Sequence, residues 1–371
     1  MTKSWSEARN ILCVRLDNMG DVLMSTPAIR ALRQCGGTHH IALLASSAGA
    51  AVADHIPEVD SAIVYDAPWM KSGYGYDAMA DRRMIAHLES CNFDAAVIFT
   101  VFSQNPLPAA LMCLLADIPL RLAHCRENPY HLLTDWVCES EPDGGIRHEV
   151  QRQLDLVARV GAHTHNDRLS FHVRDADHWT MREKLAASGT DMKRRRIVIH
   201  AGATAASRRY PAERFSLVAQ ILQRELGCTV LFTGSAVERE LCEALQASVP
   251  NSHSLAGELS LGELGALIAD CAVLLSNNTG PVHLAAAVGT PVVDLYALTN
   301  PQHTPWQVPN RVLSHDVSCK YCYKSICPQG HHACLRGIEP QQVVAAVREL
   351  WQSERHEAHA MHGSNQQTMA A

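Results

Sequence analysis

The sequence predicts an α/β protein built from two doubly wound domains. Short apolar runs alternate with segments of helical length, 371 residues suit about two domains, and the alternation stops and restarts near the middle of the chain. An apolar content of 47% supplies a core for each half, which excludes a disordered or fibrous chain. We therefore expect two doubly wound α/β domains, each a parallel sheet flanked by helices.

In the first half, four apolar runs predict parallel strands, and the segments between them are long enough for helices. The first run ends at a polar turn that includes Asp21, and apolar residues then recur at helical spacing as far as Leu32. Pro27 leaves two starts open for this helix, near Ser25 or at Gly20 with a bend at the proline. The predicted strands are Ile11–Leu16, Ile41–Ala45, Ala62–Tyr65 and Ala95–Thr100.

The domain boundary is expected where charged residues and glycine replace the apolar pattern. This places the first domain at residues 1–170, a linker at 171–195 and the second domain at 196–352. The polar, His-bearing tail 353–371 is expected to be disordered. In the second domain the predicted strands are Ile197–His200, Cys228–Thr233, Val273–Ser276 and Val292–Tyr296, with helices opening at Pro211, Ser260 and Pro281.

Composition excludes several classes of function. There are 32 Lys and Arg against 38 Asp and Glu, a net charge of -6, so no basic field exists to hold nucleic acid. The polar start lacks the apolar core of a signal peptide, and no apolar run approaches the roughly 20 residues of a spanning helix. We expect a cytoplasmic protein whose 13 cysteines are thiols or metal ligands rather than disulfides.

Two loops that follow predicted strands are candidates for binding an anion. Asn278, Thr279 and Gly280 precede a helix whose free N–H groups favour a phosphate; the alternative is that a side chain of this loop only caps the helix. Arg208 and Arg209 lie in a loop of small residues, where guanidinium groups suit phosphate oxygens and the alternative is a solvated surface pair. Because both loops belong to one domain, we interpret them together as a diphosphate site.

Asp21 lies in the turn that follows the first predicted strand. Open α/β sheets bind ligands beyond the carboxyl ends of their strands, so a carboxylate there can accept a proton from a reacting hydroxyl. The alternative is that Asp21 caps the next helix, a position that Asp favours. No G-x-G-x-x-G sequence follows this strand, which disfavours an NAD-dependent enzyme.

The segment 319–334 contains four cysteines, the first two in a C-x2-C spacing. Thiolates at short spacing form tetrahedral sites for zinc or iron, and four of them leave no open position, so such a site would be structural. The alternative is a reduced Cys-rich loop without metal. The candidate ligands are Cys319, Cys322, Cys327 and Cys334.

Two segments of the chain carry a resemblance to a known family. They are V-R-L-D-N-M-G-D-V-L-M-S-T-P-A-I-R-A-L-R, residues 14–33, and S-N-N-T-G-P-V-H-L-A-A-A-V-G-T-P, residues 276–291. Together, in this order and at this distance, they resemble glycosyltransferase family 9, the heptosyltransferases of lipopolysaccharide core assembly. A weaker resemblance extends over residues 11–350.

The resemblance implies a GT-B fold, in which the N-terminal Rossmann-like domain takes the acceptor and the C-terminal domain, across a cleft, binds a nucleotide sugar, typically ADP-heptose. It implies that Asp21 is the general base of an inverting transfer that uses no catalytic metal. It also implies that the donor is bound by Arg208, Glu238, Thr279, Gly280 and His283, with Glu238 near the ribose; Asn278 and Arg209 complete the predicted set.

This chain departs from the family pattern at two donor positions. The family often has Asp where this chain has Asn278, and usually has Lys where it has Arg208. The first change removes a negative charge beside the donor, and the second keeps the charge but changes its geometry. Family members that glycosylate autotransporter proteins hold iron with cysteines in a different spacing.

We therefore expect an inverting glycosyltransferase that moves heptose or a related sugar from an ADP-heptose-type donor to a lipopolysaccharide core acceptor. One alternative is a transferase of the same fold with another donor or a protein acceptor, and another is a non-catalytic nucleotide- or metal-binding protein. The expected partners are the nucleotide sugar and the glycan acceptor, without nucleic acid. Because such acceptors lie at the inner membrane, transient peripheral contact with it is also expected.

Overall fold

The computed structural model describes residues 4–35, 40–71 and 77–352. The chain divides into two compact units, Met1–His172 and Val173–Ala371. The tail 353–371, which the sequence predicts to be disordered, lies outside the described residues.

The described part of the first unit contains a sheet of six parallel strands. These are β1 (Asn10–Arg15), β2 (His40–Ala45), β3 (Ser61–Val64), β4 (Ala95–Ile98), β5 (Leu120–Cys125) and β6 (Asp135–Cys138). Their spatial order is β3-β2-β1-β4-β5-β6, and every neighbouring pair is parallel. β1 to β4 match the predicted runs, whereas β5 and β6 are absent from the predictions.

The described part of the second unit also contains six parallel strands. These are β7 (Arg196–His200), β8 (Thr229–Thr233), β9 (Ser252–Ser254), β10 (Val273–Asn277), β11 (Val292–Leu295) and β12 (Asn310–Leu313). Their order is β12-β11-β10-β7-β8-β9. β7, β10 and β11 are buried along their whole length, which is why their sequences are continuous apolar runs with few polar residues.

Both units have the same strand order. Counted from the first strand of each unit, the order is 3-2-1-4-5-6, which is the order of doubly wound nucleotide-binding sheets. The prediction of two Rossmann-like α/β units is therefore confirmed. In such sheets ligands bind beyond the carboxyl ends of the strands where the winding reverses, which is between β1 and β4 and between β7 and β10.

Helices connect the strands. In the first unit they are α1 (Met19–Gln34), α2 (Ser47–Ala50), α3 (Ala78–Ser90), α4 (Leu107–Leu115) and α5 (Glu149–Ala158). In the second they are α6 (Asp175–Ala187), α7 (Ala212–Leu226), α8 (Arg239–Ser248), α9 (Leu261–Ala269), α10 (Gly280–Val288), α11 (Ala333–Arg336) and α12 (340–352). None of the described helices combines the length and the apolar character needed to cross a membrane.

Helix α1 begins at Met19 and contains Pro27. A proline inside a helix cannot donate to the carbonyl four residues earlier, which here is that of Leu23. The hydroxyl of Thr26 donates to this carbonyl at 2.7 Å and so replaces the missing bond. Of the two predicted helix starts, the earlier one is therefore correct to within a residue.

The segment predicted as a linker, 171–195, contains α6. This helix has few buried residues, Met181 and Leu185, and carries many charges, so its apolar period is weak in the sequence. It belongs to the second unit, because it packs against α9 and the ammonium group of Lys184 lies 2.6 Å from Glu263 Oε2. The unit boundary, between residues 172 and 173, lies inside the predicted linker.

Candidate active site

The reversal point of the first unit, meaning the carboxyl ends of β1 and β4 where the winding of the sheet reverses, holds one cation among three carboxylates. Arg15, the last residue of β1, is fully buried, and its guanidinium lies 2.9 Å from Glu149 Oε1 and 3.3 Å from Asp21 Oδ1. Arg15 Nε also lies 3.0 Å from Asp17 Oδ2, an ion pair without hydrogen-bond geometry. Glu149 is fully buried at the start of α5, so it joins this cluster from 134 residues away along the chain.

The excess of negative charge in this cluster affects how Asp17 titrates. Burial raises the pKa of Asp17, and the nearby charges of Asp21 and Glu149 raise it further, against the opposing effect of Arg15 and a hydrogen bond from Gln104; the resulting pKa is about 6. For Arg15, burial lowers the pKa, but the three carboxylates outweigh burial and raise it. The guanidinium therefore stays charged while Asp17 titrates near neutrality.

Asp21 is the third residue of α1. Its Oδ2 accepts a hydrogen bond from the backbone N–H of Asn18 at 3.3 Å, and its Oδ1 faces Arg15. The side chain is 16% exposed, so part of the carboxylate reaches solvent at the strand end. The capping role is thus present, and it leaves the other oxygen in a charged, partly open site suited to proton transfer.

The second reversal point is organised by Asn277, the last residue of β10. Its side chain is fully buried, and its Nδ2 donates to the carbonyls of Ala201 at 2.7 Å and Gly202 at 3.3 Å. Its Oδ1 accepts from the backbone N–H of Tyr210 at 3.0 Å. One amide therefore holds both ends of the β7–α7 loop, which carries Arg208.

The two arginines of this loop have different environments. Arg208 is half-buried, and its Nη2 donates to Asn300 Oδ1 at 3.1 Å in the loop after β11. Arg209 is exposed, and its Nε donates to the carbonyl of Ala203 at 2.8 Å. Arg208 is thus directed toward the neighbouring strand-end loops, whereas Arg209 folds back on its own loop.

Neither Asn278 nor Thr279 caps helix α10 with its side chain. The hydroxyl of Thr279, at the N-cap position, donates backwards to the carbonyl of Asn277 at 3.2 Å, and no side-chain cap is formed. Asn278 is turned to the other side, where its Nδ2 donates to Asp294 Oδ2 and to the carbonyl of His303, both at 2.9 Å. The capping alternative for this loop is therefore wrong. Gly280 begins the helix, and His283 is buried within it.

Asp294, in β11, is a fully buried carboxyl group. Burial raises its pKa to about 8, although the hydrogen bond from Asn278 and the charge of Arg208 lower it. Its Oδ1 has no hydrogen-bond partner among the described residues. Asp294 therefore places a buried carboxyl group beside Asn278 on the adjacent strand.

Glu238 lies against Gly202 at the ends of β7 and β8. A Cβ at Gly202 would be 1.8 Å from Glu238 Oε1, so this close approach requires glycine. Glu238 Oε2 accepts hydrogen bonds from the N–H and the hydroxyl of Ser235 at 2.8 and 2.9 Å. Burial lowers the pKa of His200, which ends β7, while the charge of Glu238 opposes that shift.

The structure therefore brings the predicted donor residues of the second unit to one edge of its sheet. Arg208 and Asn278 are joined through the loop after β11, because Asn300 contacts Arg208 and its Nδ2 lies 2.8 Å from His303 Nδ1. The residues that organise both sites are not among those predicted from the sequence. They are Arg15, Asp17 and Glu149 in the first unit, and Asn277, Asp294 and Asn300 in the second.

The Cys-rich loop 319–334 lies against these donor loops. The backbone N–H groups of Tyr321 and Tyr323 donate to the carbonyls of Leu298 and Thr299 at 2.6 and 2.9 Å. The N–H of Ser207 donates to the carbonyl of Ser325 at 3.0 Å. The Cys-rich loop therefore supports both the loop that carries Arg208 and the loop after β11.

All 13 cysteines are unbridged in the structure. Burial raises the pKa of Cys334, and the nearby Cys327, Cys319 and Cys322 raise it further, so the four thiols share one neighbourhood. Burial also acts to raise the pKa of Cys327, but backbone N–H groups of residues 329–332 outweigh it and lower that pKa. Within the described ranges, no three His, Cys, Asp or Glu side chains are arranged to hold a metal ion.

Comparison with known proteins identifies the family. The model of glycosyltransferase family 9 (heptosyltransferase) matches residues 82–333, about two thirds of the chain. The chain belongs to glycosyltransferase family 9. It is therefore a glycosyltransferase, and the enzyme class expected from the sequence is confirmed.

Individual family 9 proteins match over different lengths. Lipooligosaccharide heptosyltransferase 2 of Campylobacter jejuni is 28% identical over 150 residues, which are 39% of this chain and 47% of that relative, so this match spans about half the relative's length. Lipopolysaccharide heptosyltransferase 2 of Salmonella typhimurium is 26% identical over 359 residues, which cover 93% of this chain and 99% of that relative. The structure of E. coli ADP-heptose lps heptosyltransferase II has a TM-score of 0.74 and 23% identity, covering 93% of this chain and 99% of that one.

Proposed function

We propose that this family 9 protein transfers heptose from ADP-heptose to an acceptor of the lipopolysaccharide core, with inversion at the anomeric carbon. Relatives named as lipopolysaccharide heptosyltransferases, matched over almost their whole length, support the reaction class. The observation that carries the proposal is that each sheet has a polar site where its winding reverses. In the first unit this site is the partly exposed carboxylate of Asp21 beside the buried Arg15, and in the second it is the loop of Arg208, which the Asn277 amide holds in place.

Asp21 is the general base of this reaction. Its carboxylate takes the proton from the acceptor hydroxyl as that oxygen bonds to the anomeric carbon, and the bond from this carbon to the diphosphate oxygen breaks to release ADP. The contact with Arg15 at 3.3 Å favours the ionised carboxylate that a base requires. Glu149 positions Arg15 from the opposite side, so it acts through Arg15 and not on the substrate.

The second unit holds the donor and stabilises the leaving group. Arg208 and the N–H groups at the start of α10 bind the diphosphate, and Thr279 and Gly280 allow it to approach the backbone. Negative charge grows on the diphosphate as ADP departs, and fixed donors aimed at it lower the barrier without a metal in the step.

The other residues of the donor site have smaller roles. Glu238, held by Ser235, accepts hydrogen bonds from the ribose. His283, which is buried in α10, also belongs to the proposed donor site, and Arg209 contributes little.

The proposal is tested by analysing products. Purified protein is incubated with ADP-heptose and a heptose-deficient core acceptor, and the acceptor is analysed by mass spectrometry. The expected result is a gain of one heptose and release of ADP. Parallel reactions with other nucleotide sugars and with protein acceptors examine the alternatives, and product formed only in one of those would contradict the proposed donor or acceptor.

We also propose that the first unit makes peripheral contact with the inner membrane through α4. Leu111, Leu114 and Leu115 form an exposed apolar stripe on this helix, with 45, 38 and 56% of each residue accessible. The adjoining helix α3 presents the exposed Arg82 and Arg83. Apolar residues beside arginines suit the surface of an anionic bilayer, which is where a lipid-linked acceptor lies.

Vesicle co-sedimentation tests this contact. The wild type is expected to sediment with vesicles that contain phosphatidylglycerol, and a variant with Ser at all three leucine positions is expected to remain in the supernatant. Leu217→Ser, at a leucine of the second unit that is 43% exposed, is the matched control and should sediment like the wild type. Equal sedimentation of all three proteins would contradict the α4 contact.

Finally, we propose that Cys319, Cys322, Cys327 and Cys334 form a structural site for zinc or iron. Their shared neighbourhood and the N–H groups that favour a thiolate at Cys327 support it. Because three ligands do not yet converge in the described structure, metal binding would draw the thiols together. No step of the transfer passes through this metal.

Metal analysis of the purified protein tests this proposal. One equivalent of zinc or iron is expected in the wild type and is lost in Cys319→Ser. Because the Cys-rich loop contacts Leu298 and Thr299, the same variant is expected to bind ADP several-fold more weakly. Cys138→Ser, at an exposed cysteine of the first unit, is the control and should keep both properties. A wild type without metal would contradict the site.

A further inference from the structure

Asp294 is a buried carboxyl group that the mechanism above does not use. It lies in β11, a strand that is otherwise apolar, and it is fully buried. Its Oδ1 has no hydrogen-bond partner among the described residues. Buried polar groups are nearly always paired, so an unpaired carboxyl oxygen at the carboxyl end of a strand calls for a functional explanation.

Hydrogen bonds connect Asp294 to the proposed donor site. Asn278, which precedes the N-cap residue of α10, donates to Asp294 Oδ2 at 2.9 Å. The same amide donates to the carbonyl of His303, and the imidazole of His303 lies 2.8 Å from Asn300, which accepts from Arg208. Asp294 is therefore connected to Arg208 and to the start of α10, the two groups that are proposed to face the diphosphate.

We propose, resting on the function proposed above, that Asp294 is a positioning residue of the donor site that must be neutral when the nucleotide diphosphate binds. As a neutral acid, Asp294 accepts the hydrogen bond from the Asn278 amide and does not compete with the diphosphate for the charge of Arg208. As a carboxylate it places a second anion beside the diphosphate and attracts Arg208 to itself. Ionisation of Asp294 therefore weakens donor binding.

The pH range of this effect follows from the surroundings of Asp294. The pKa of Asp294 is about 8, so the group is mainly neutral at pH 7 and mainly ionised above pH 9. The titratable or charged groups that face it are Arg208, Tyr296 and His303. Burial raises the pKa of Tyr296, so that its phenol stays neutral in this range. The terminal phosphate of ADP ionises near pH 6, so the ligand charge is constant above pH 7.5.

Calorimetric titration of the full chain with ADP between pH 7.5 and 9.5 tests the inference. The wild-type Kd is expected to rise about 10- to 25-fold over this range, because a group with a pKa of about 8 is about three quarters neutral at pH 7.5 and only about 3% neutral at pH 9.5. Asp294→Asn, the isosteric neutral side chain, is expected to bind ADP like the wild type at pH 7.5 and to keep that affinity at pH 9.5. Because Arg208, Tyr296 and His303 remain in this variant, a flat profile identifies Asp294 itself.

Controls distinguish the outcomes. Asp191→Asn makes the same change at an exposed aspartate of the second unit and should keep the wild-type pH dependence. A wild-type Kd that does not change with pH overturns the inference. A rise in Kd that persists in Asp294→Asn overturns it as well. Both results leave the proposed function intact, since ADP still binds. Absence of ADP binding at every pH would instead contradict the proposed donor, and this inference with it.

Discussion

The carboxyl ends of β1 and β10 take part in the same reversal of winding in two sheets of identical strand order, yet they carry different chemistry. The first holds a buried guanidinium, Arg15, among three carboxylates. The second is built mainly from amides: Asn277 fixes one loop, and Asn278 and Asn300 connect it to the next. One strand order therefore carries a charged cluster in one unit and an amide network in the other, depending on which residues end its strands.

The difference follows from what each site must do with charge. In the proposed function the base carries a negative charge, and the Arg15 guanidinium lies 3.3 Å from Asp21 Oδ1. The proposed diphosphate site instead uses amides, which orient its loops without adding negative charge. Asp294 agrees with this rule, because its pKa of about 8 keeps it mainly neutral at pH 7.

The largest effect is expected at the proton acceptor. Asp21→Asn keeps an oxygen for the N–H of Asn18 but cannot take a proton, so kcat should fall by about 10³-fold while the Kd for ADP is unchanged. Steady-state kinetics and calorimetry measure the two quantities. Asp17→Asn is the matched variant on the same Arg15 and should lower kcat by about tenfold or less. The reverse order of the two losses would make Asp17 the base.

The next largest effect is expected at the anion site. Arg208→Ala removes a charged hydrogen-bond donor from the diphosphate, so the Kd for ADP should rise by about 10- to 100-fold. Arg209→Ala alters the neighbouring guanidinium, which is exposed and bonded to its own loop, and should change the Kd by less than about threefold. Equal effects of the two variants would mean that Arg208 has no special role.

A smaller effect is expected at the contact between Gly202 and Glu238. The new Cβ in Gly202→Ala would lie 1.8 Å from Glu238 Oε1, so the carboxylate must move away from its present position. If Glu238 binds the ribose, the Kd for ADP rises about fivefold, a typical effect of losing one hydrogen bond. Glu238→Ala should give the same increase, and the double variant no more than either change alone. If the increases in Kd were fully additive in the double variant, Gly202 and Glu238 would act independently of each other.

The smallest expected change is in the pH dependence of stability. The pKa of Asp294 is about 8 in the folded protein and about 4 in an unfolded chain, so the folded state keeps a proton that the unfolded state has lost between these pH values. The contribution of Asp294 to the free energy of unfolding should therefore fall as pH rises from about 4 to 8 and then level off. Asp294→Asn should remove most of this slope and melt at least about 2 °C above the wild type at pH 8. An unchanged slope would contradict the raised pKa.

Apolar periodicity was sufficient to predict most strands but not those that carry polar residues. β5 contains Arg121 and His124, and both are buried; the Arg121 side chain donates to the carbonyls of Leu132 and His131 in the loop that follows. β9, with the sequence S-H-S, and β12, with N-R-V-L, lie at the edges of their sheet and need no continuous apolar run. Their pairing depends on neighbours distant in sequence, which a local pattern does not contain.

The candidate sites were predicted in part for the same reason. Asp21, Arg208 and the Thr279 loop are predicted from the sequence because they follow apolar runs. Arg15 and Asp294 were missed because they lie inside such runs, although a charged residue within an apolar strand is itself a signal of a buried partner. Glu149 could not be assigned from the sequence, since only the fold brings it from residue 149 to Arg15.

The three backbone contacts of Asn277 also bear on how quickly the donor is captured. Because this amide fixes Ala201, Gly202 and Tyr210 through hydrogen bonds within the chain itself, the β7–α7 loop has little freedom to lose when a nucleotide binds. Association should then occur in a single kinetic phase whose rate increases linearly with nucleotide concentration, without the plateau that a slow rearrangement of this loop would impose.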